Sequence, residues 1–166
     1  MFNYTTDIYQ RIIKIPIAMK KLILPFFILA FFLMTACSDE ECGECFSPPA
    51  FFAFDLVDSE SGENVFANGT FNPDEIEILD ASGNQLVFNF IDVEKFKLIE
   101  INTIGWRTEI VNYRINIGSE NIFDLYVDAE RLSEDCCSFT RYNEIEIGNA
   151  AFSLNAETEI YTILVD

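Results

Sequence analysis

The sequence predicts an all-β protein, an antiparallel β-sandwich over residues 50–166. Three observations carry the prediction: apolar side chains alternate at period two in short runs, turn signals recur about every 8–12 residues, and no helical period is sustained. A chain that is 50% hydrophobic with 17 Phe has the apolar surface to drive burial of such a core.

Ser47-Pro48-Pro49 closes an N-terminal tether, because prolines cannot donate to a ladder and favour extended or turn conformations. Residues 50–57 (AFFAFDLV) then place Phe52, Phe54 and Leu56 on one face of a first strand. A polar loop over 58–64 follows, Val65-Phe66 starts another extended piece, and Asn68-Gly69 is a pair able to turn at positive φ. Residues 75–79 (EIEIL) put Ile76 and Ile78 on one side; after the turn at 80–84, residues 85–91 alternate through Leu86, Phe88 and Phe90, so the two runs read as a hairpin. A short strand near 95–102 contributes Phe96, Leu98 and Ile101, and Gly105-Trp106 marks a turn. In 108–117 the parity of Val111, Tyr113, Ile115 and Ile117 should face the core. The turn at 118–121 leads into 122–127, with Phe123, Leu125 and Val127 facing in. Residues 128–135 read as a helical turn, and strands follow at 136–147, 151–154 and 160–165. Repeats and low-complexity tracts are absent from the sequence.

The segment before residue 37 reads as an address. Lys20 and Lys21 precede the apolar run 22–34, and Thr35-Ala36-Cys37 supplies small residues at a cleavage point, the layout of a secretory signal. The run is short for a transmembrane helix, which needs roughly 20 apolar residues. Leu33-Met34-Thr35-Ala36-Cys37 resembles the lipobox of bacterial lipoproteins and departs from it at Met34, where Leu or another aliphatic is usual. The resemblance implies that Cys37 is lipidated and becomes the first mature residue. The following Ser38, Asp39, Glu40 and Glu41 resemble the acidic signal that sends lipoproteins of the Bacteroidota, flavobacteria especially, to the outer leaflet of the outer membrane; the bland alternative is a solvated acidic tether. The expected organisation is a leader and signal peptide over 1–36, with translation starting at Met19, a lipidated, acidic, Cys-containing tether over 37–49, and the sandwich over 50–166.

Five cysteines divide as one plus four. With Cys37 lipidated, Cys42, Cys45, Cys136 and Cys137 form an even set in an exported, oxidising setting. A bond between adjacent Cys136 and Cys137 would be strained, so Cys42 and Cys45 are each expected to bond one of them, clamping the tether onto a late strand. The zinc alternative lacks a second C-x-x-C and any His to complete a tetrahedron. The redox alternative sets Cys42-Gly43-Glu44-Cys45 among acidic residues that raise a thiol pKa.

Ten basic against 28 acidic residues give a net charge of −18, which excludes a sequence-independent nucleic-acid binder. The mature chain is repelled by anionic headgroups, so the membrane would hold it through the acyl chains alone. There is no His, which removes the usual general base and closes the Ser-His-Asp route; no G-x-S-x-G, P-loop or G-x-G-x-x-G occurs. Asp58, Glu60, Glu63 and Asp80 could bind Ca²⁺ if two polar turns met, although no D-x-D-x-D-G loop is present; Glu130, Glu134 and Asp135 form a similar group beside the Cys pair. Neither group is distinguished from solvated loops, and no cofactor or metal is expected.

Trp106, Arg107, Tyr113, Tyr126, Arg141 and Tyr142 are side chains of the kind that form hot spots or sugar platforms when exposed, and Trp106 with Arg107 is the leading candidate binding pair. Asp58, Ser61, Gly62 and Glu63 match the D-x-x-T/S-G-E phrase in the first hairpin of small prealbumin-like and immunoglobulin-like sandwiches attached to surface proteins. That resemblance implies a fold of either kind and no activity. The expected function is a membrane-anchored lipoprotein displayed on the cell surface, a non-catalytic binding or accessory module for a protein or glycan. The alternative is a small carboxylate- or metal-dependent hydrolase, which requires convergent carboxylates in a concave site.

Overall fold

The structure is a computed structural model that describes residues 45–166 except Lys95, Asp135 and Cys136. The residues read as a signal, Cys37, the run Ser38 to Glu41, Cys42 and Cys136 therefore lie outside the described residues. The strands are β1 (Phe52–Asp58), β2 (Ile76–Leu79), β3 (Asn89–Val93), β4 (Phe96–Ile101), β5 (Glu109–Ile117), β6 (Glu120–Glu134), β7 (Cys137–Gly148), β8 (Ala151–Leu154) and β9 (Ile160–Val165). They form two sheets, one ordered β3-β4-β1-β9-β8 and the other β2-β5-β6-β7, and the fold is a β-sandwich. All pairings are antiparallel except β1 with β9, which run side by side in parallel. A parallel pair needs a long crossover, and here nearly the whole domain is the connection between its first and last strands.

Period-two alternation builds the core as expected. Phe52, Phe54 and Leu56 of β1 are buried with Ile99 and Ile101 of β4 and Ile163 of β9, and they face Ile76, Ile78, Ile115, Ile117, Phe123, Leu125 and Val127 of the other sheet. Phe54 meets Phe123 across the interior with ring centroids 4.9 Å apart. Among the described residues no polar or charged side chain is buried, so the interior depends on apolar burial alone.

Three local expectations are corrected. Val65 and Phe66 are buried but lie in a turn, held by Val65 N–H donating to the Leu56 carbonyl and by the Asn64 side chain accepting from Phe66 N–H. The hairpin between 75–79 and 85–91 does not form: a bridge from Leu79 to Gln85 begins it, then the chain crosses to the other sheet and enters β3. Leu86 and Phe88 still alternate inward along this crossing, so the apolar pattern was the same for either path. The short strand expected near 95–102 is β4: Ile99 and Ile101 oppose Phe54 and Phe52 in the interior, while on the other parity Leu98 is buried and Phe96 is 54% exposed. Residues 128–134 continue β6 and form no helical turn. Ala129 extends the buried series of Phe123, Leu125 and Val127, and pairing with β7 overrides the helix propensity of Ala, Glu, Arg and Leu.

Candidate functional site

The tether is latched to the sandwich at the start of β7. Cys45 is disulfide-bonded to Cys137, which agrees with one of the two expected bonds and joins residues 92 apart in sequence. Ser138 N–H donates to the Cys45 carbonyl at 3.2 Å and Ser47 N–H donates to the Ser138 carbonyl at 2.9 Å, so the tether adds a short parallel bridge to the edge of the sheet. Arg131 reinforces it from β6. Its Nη1 donates to the Ser47 carbonyl at 2.9 Å and to Thr140 Oγ1 at 2.8 Å, and the guanidinium lies 5.3 Å from the Phe46 ring centroid. Farther along, Tyr142 OH donates to the Ala50 carbonyl at 3.3 Å, and burial raises the Tyr142 pKa.

Trp106 and Arg107 sit beside this latch. Trp106 is 53% exposed, its Nε1 donates to the Asn102 carbonyl at 2.9 Å, and its ring stacks on Phe46 at 6.0 Å. Arg107 extends into solvent and pairs through Nε with Glu109 Oε2 at 3.0 Å; the other oxygen of Glu109 accepts from Gly105 N–H at 2.9 Å. Gly105 is required here: its φ is +88°, and a Cβ would lie 2.8 Å from Thr140 Cγ2 and 2.9 Å from the Tyr142 hydroxyl. The outcome is an exposed aromatic corner of Trp106 and Phe46, fixed by the latch beneath it. Phe46, Glu109, Arg131 and Thr140 are absent from the expected site. Arg131 carried a readable signal, since it follows Phe123, Leu125, Val127 and Ala129 at the same parity, where a cation needs partners.

The other candidates separate. Tyr113 is half-buried, with its pKa raised by burial, and Arg141 pairs with Glu130. The Asp58 carboxylate accepts from Ser61 Oγ and Ser61 N–H, both at 2.7 Å, and Asp80 accepts from Ser82 N–H, Asn84 N–H and the Asn84 amide. These bonds hold both carboxylates below the usual range, Asp58 chiefly through the Ser61 hydroxyl and Asp80 chiefly through the Asn84 side chain. Each caps its own turn, and among the described residues no three acidic or Cys side chains converge as metal ligands.

An open groove of about 910 Å³ is bordered by the 80–83 turn, Tyr126, Ile145, Glu146, Ile147 and Phe152. Comparison with protein-family models, with curated proteins and with solved structures finds no match to this chain.

Proposed function

We propose that the protein is a lipoprotein anchored in the outer membrane through Cys37, displayed at the cell surface, and that its sandwich is a non-catalytic binding or accessory module for a protein or glycan. The observation that carries the reading is the latch: Cys45, Phe46 and Ser47 are bound to the domain by a disulfide, an arginine and backbone bonds only eight positions after Cys37. An anchor needs a mechanically firm attachment between lipid and domain, and the Cys45–Cys137 bond supplies one. Eight residues span at most about 29 Å, so the acylated cysteine would hold the latch near the bilayer. The Trp106–Phe46 corner suits contact with a partner, because rigid, partly exposed aromatics bind at low entropic cost. Among the described residues the carboxylates with displaced pKa move downward, which suits turn caps and not a general acid held protonated at neutral pH.

The test is membrane partitioning of the wild type and Cys37→Ala, combined with protease accessibility on intact cells. The reading expects the wild type in the outer membrane and cleavable from outside, and the variant released from the membrane. Membrane retention of Cys37→Ala contradicts the anchor, and protection of the wild type in intact cells contradicts display.

A further inference from the structure

We infer that the second half of β7, with the neighbouring β8, is a docking cleft for an extended basic segment of a partner protein, bound as an added strand. Both strands end their sheets, β7 in one and β8 in the other, and only Asn149 and Ala150 join them, so the two sheet edges open side by side. The tether occupies the β7 edge at Ser138; beyond it, no backbone bond among the described residues links the free edge of β7 to another segment. Such an edge is a template for pairing.

Side chains on the two faces define the partner. Ile145 and Ile147 oppose the buried Val127 and Leu125 and so point to the interior side, yet Ile145 remains 37% exposed. Phe152 and Leu154 of β8 oppose Ile163 and Tyr161 on the interior side of the other sheet and are 46% and 50% exposed. Ile145, Phe152 and Leu154 thus leave apolar surface uncovered on this side, next to Ile147, which is half-buried against the core. On the opposite face, Glu144 and Glu146 oppose Asp128 and Tyr126, giving the same edge an acidic rim; burial first, then Glu144, Asp128 and Glu146, raise the Tyr126 pKa. The 910 Å³ groove borders Tyr126, Ile145, Glu146, Ile147 and Phe152, so Glu146 of the rim shares one concavity with Ile145 and Phe152; Arg114, which also lines it, is paired with Asp124.

A strand added here would direct alternate side chains to the apolar surface and to the acidic rim. The fitting partner therefore alternates apolar with Lys or Arg residues. A second copy of this chain fits poorly, since pairing β7 with itself would bring Glu144 and Glu146 against like charges. This inference deepens the binding-module reading by naming the partner class.

The test uses the purified full chain and short labelled peptides alternating lysine with valine or glutamate with valine, with a neutral oligosaccharide as a competing probe. The lysine peptide should bind, lose affinity with added salt and slow amide exchange within 143–148. The double variant Glu144→Lys, Glu146→Lys should weaken that binding roughly tenfold and improve binding of the glutamate peptide, while its urea midpoint stays at the wild-type value because both residues are exposed. No binding, equal binding of both peptides, unchanged affinity in the double variant, or binding of the oligosaccharide alone overturns the inference. The measurement does not depend on the anchor, so it can fail while membrane display holds, and it can succeed where display fails.

Discussion

Replacing Gly105 by alanine tests the latch through a comparison that cancels most other effects. Gly105 and Gly83 have nearly equal backbone angles, φ +88° and +82°, so Gly→Ala strains both alike, by about 1–2 kcal/mol for a left-handed L-residue. Their surroundings differ. A Cβ at Gly83 meets nothing within 4 Å, whereas one at Gly105 lies 2.8 Å from Thr140 Cγ2, 2.9 Å from the Tyr142 hydroxyl and 3.3 Å from Pro49 Cβ. Thr140 is held by Arg131 and donates to the Gly105 carbonyl at 2.7 Å, and Tyr142 is held by Ala50, so neither can swing aside without losing a latch bond. Overpacking of this kind costs about 1–3 kcal/mol. Gly105→Ala should thus lose about 2–5 kcal/mol and Gly83→Ala about 1–2 kcal/mol, the difference being steric. Urea unfolding with unchanged slopes reads both values. Equal losses, or a smaller loss at Gly105, would refute the reasoning.

Three further outcomes are expected. With Cys42 and Cys136 replaced by serine, the Cys45–Cys137 bond closes a loop across 92 residues and should contribute about 4.6 kcal/mol in the loop-entropy model; an unchanged urea midpoint on reduction of that variant would contradict it. Phe54→Ala empties a fully buried site against Phe123 and Tyr161 and should cost about 3–5 kcal/mol, whereas Phe96→Ala at an exposed position of β4 should stay within about 0.5 kcal/mol, both read by the same denaturation. Because folding lowers the Asp80 pKa, the contribution of Asp80 is present above the ordinary carboxylate pKa of about 3.9 and is lost as the pH falls through the folded-state value; thermal midpoints of Asp80→Asn should therefore decline less steeply than the wild type through that acid range.

What was legible in the sequence was what local periodicity determines. Phe52, Phe54 and Leu56, and later Phe123, Leu125 and Val127, could hardly face outward, and the structure buries all six. Periodicity does not say which strand is the neighbour. Leu86 and Phe88 bury alternate side chains whether the chain turns back in a hairpin or crosses between sheets, and the structure takes the crossing. Propensity misled at 128–134, where good helix formers extend β6 because the adjoining edge of β7 offers a full ladder. The site divides in the same way. That Cys45 bonds one of Cys136 and Cys137 followed from chemistry and spacing, though not which, and Trp106 from its turn, but the partners beneath them, Phe46, Arg131 and Thr140, meet only in three dimensions. The proposed β7–β8 cleft has no signature in the sequence for the same reason: only sheet order makes both strands edges.

Intact mass of the protein extracted from membranes, with and without reduction and alkylation, tests the anchored and latched sandwich most directly. Of the 166 residues, 36 precede Cys37, so the account predicts 130 residues beginning at an acylated Cys37, with Cys45 and Cys137 alkylated only after reduction. An unprocessed N-terminus, or Cys45 and Cys137 alkylated without reductant, would contradict it.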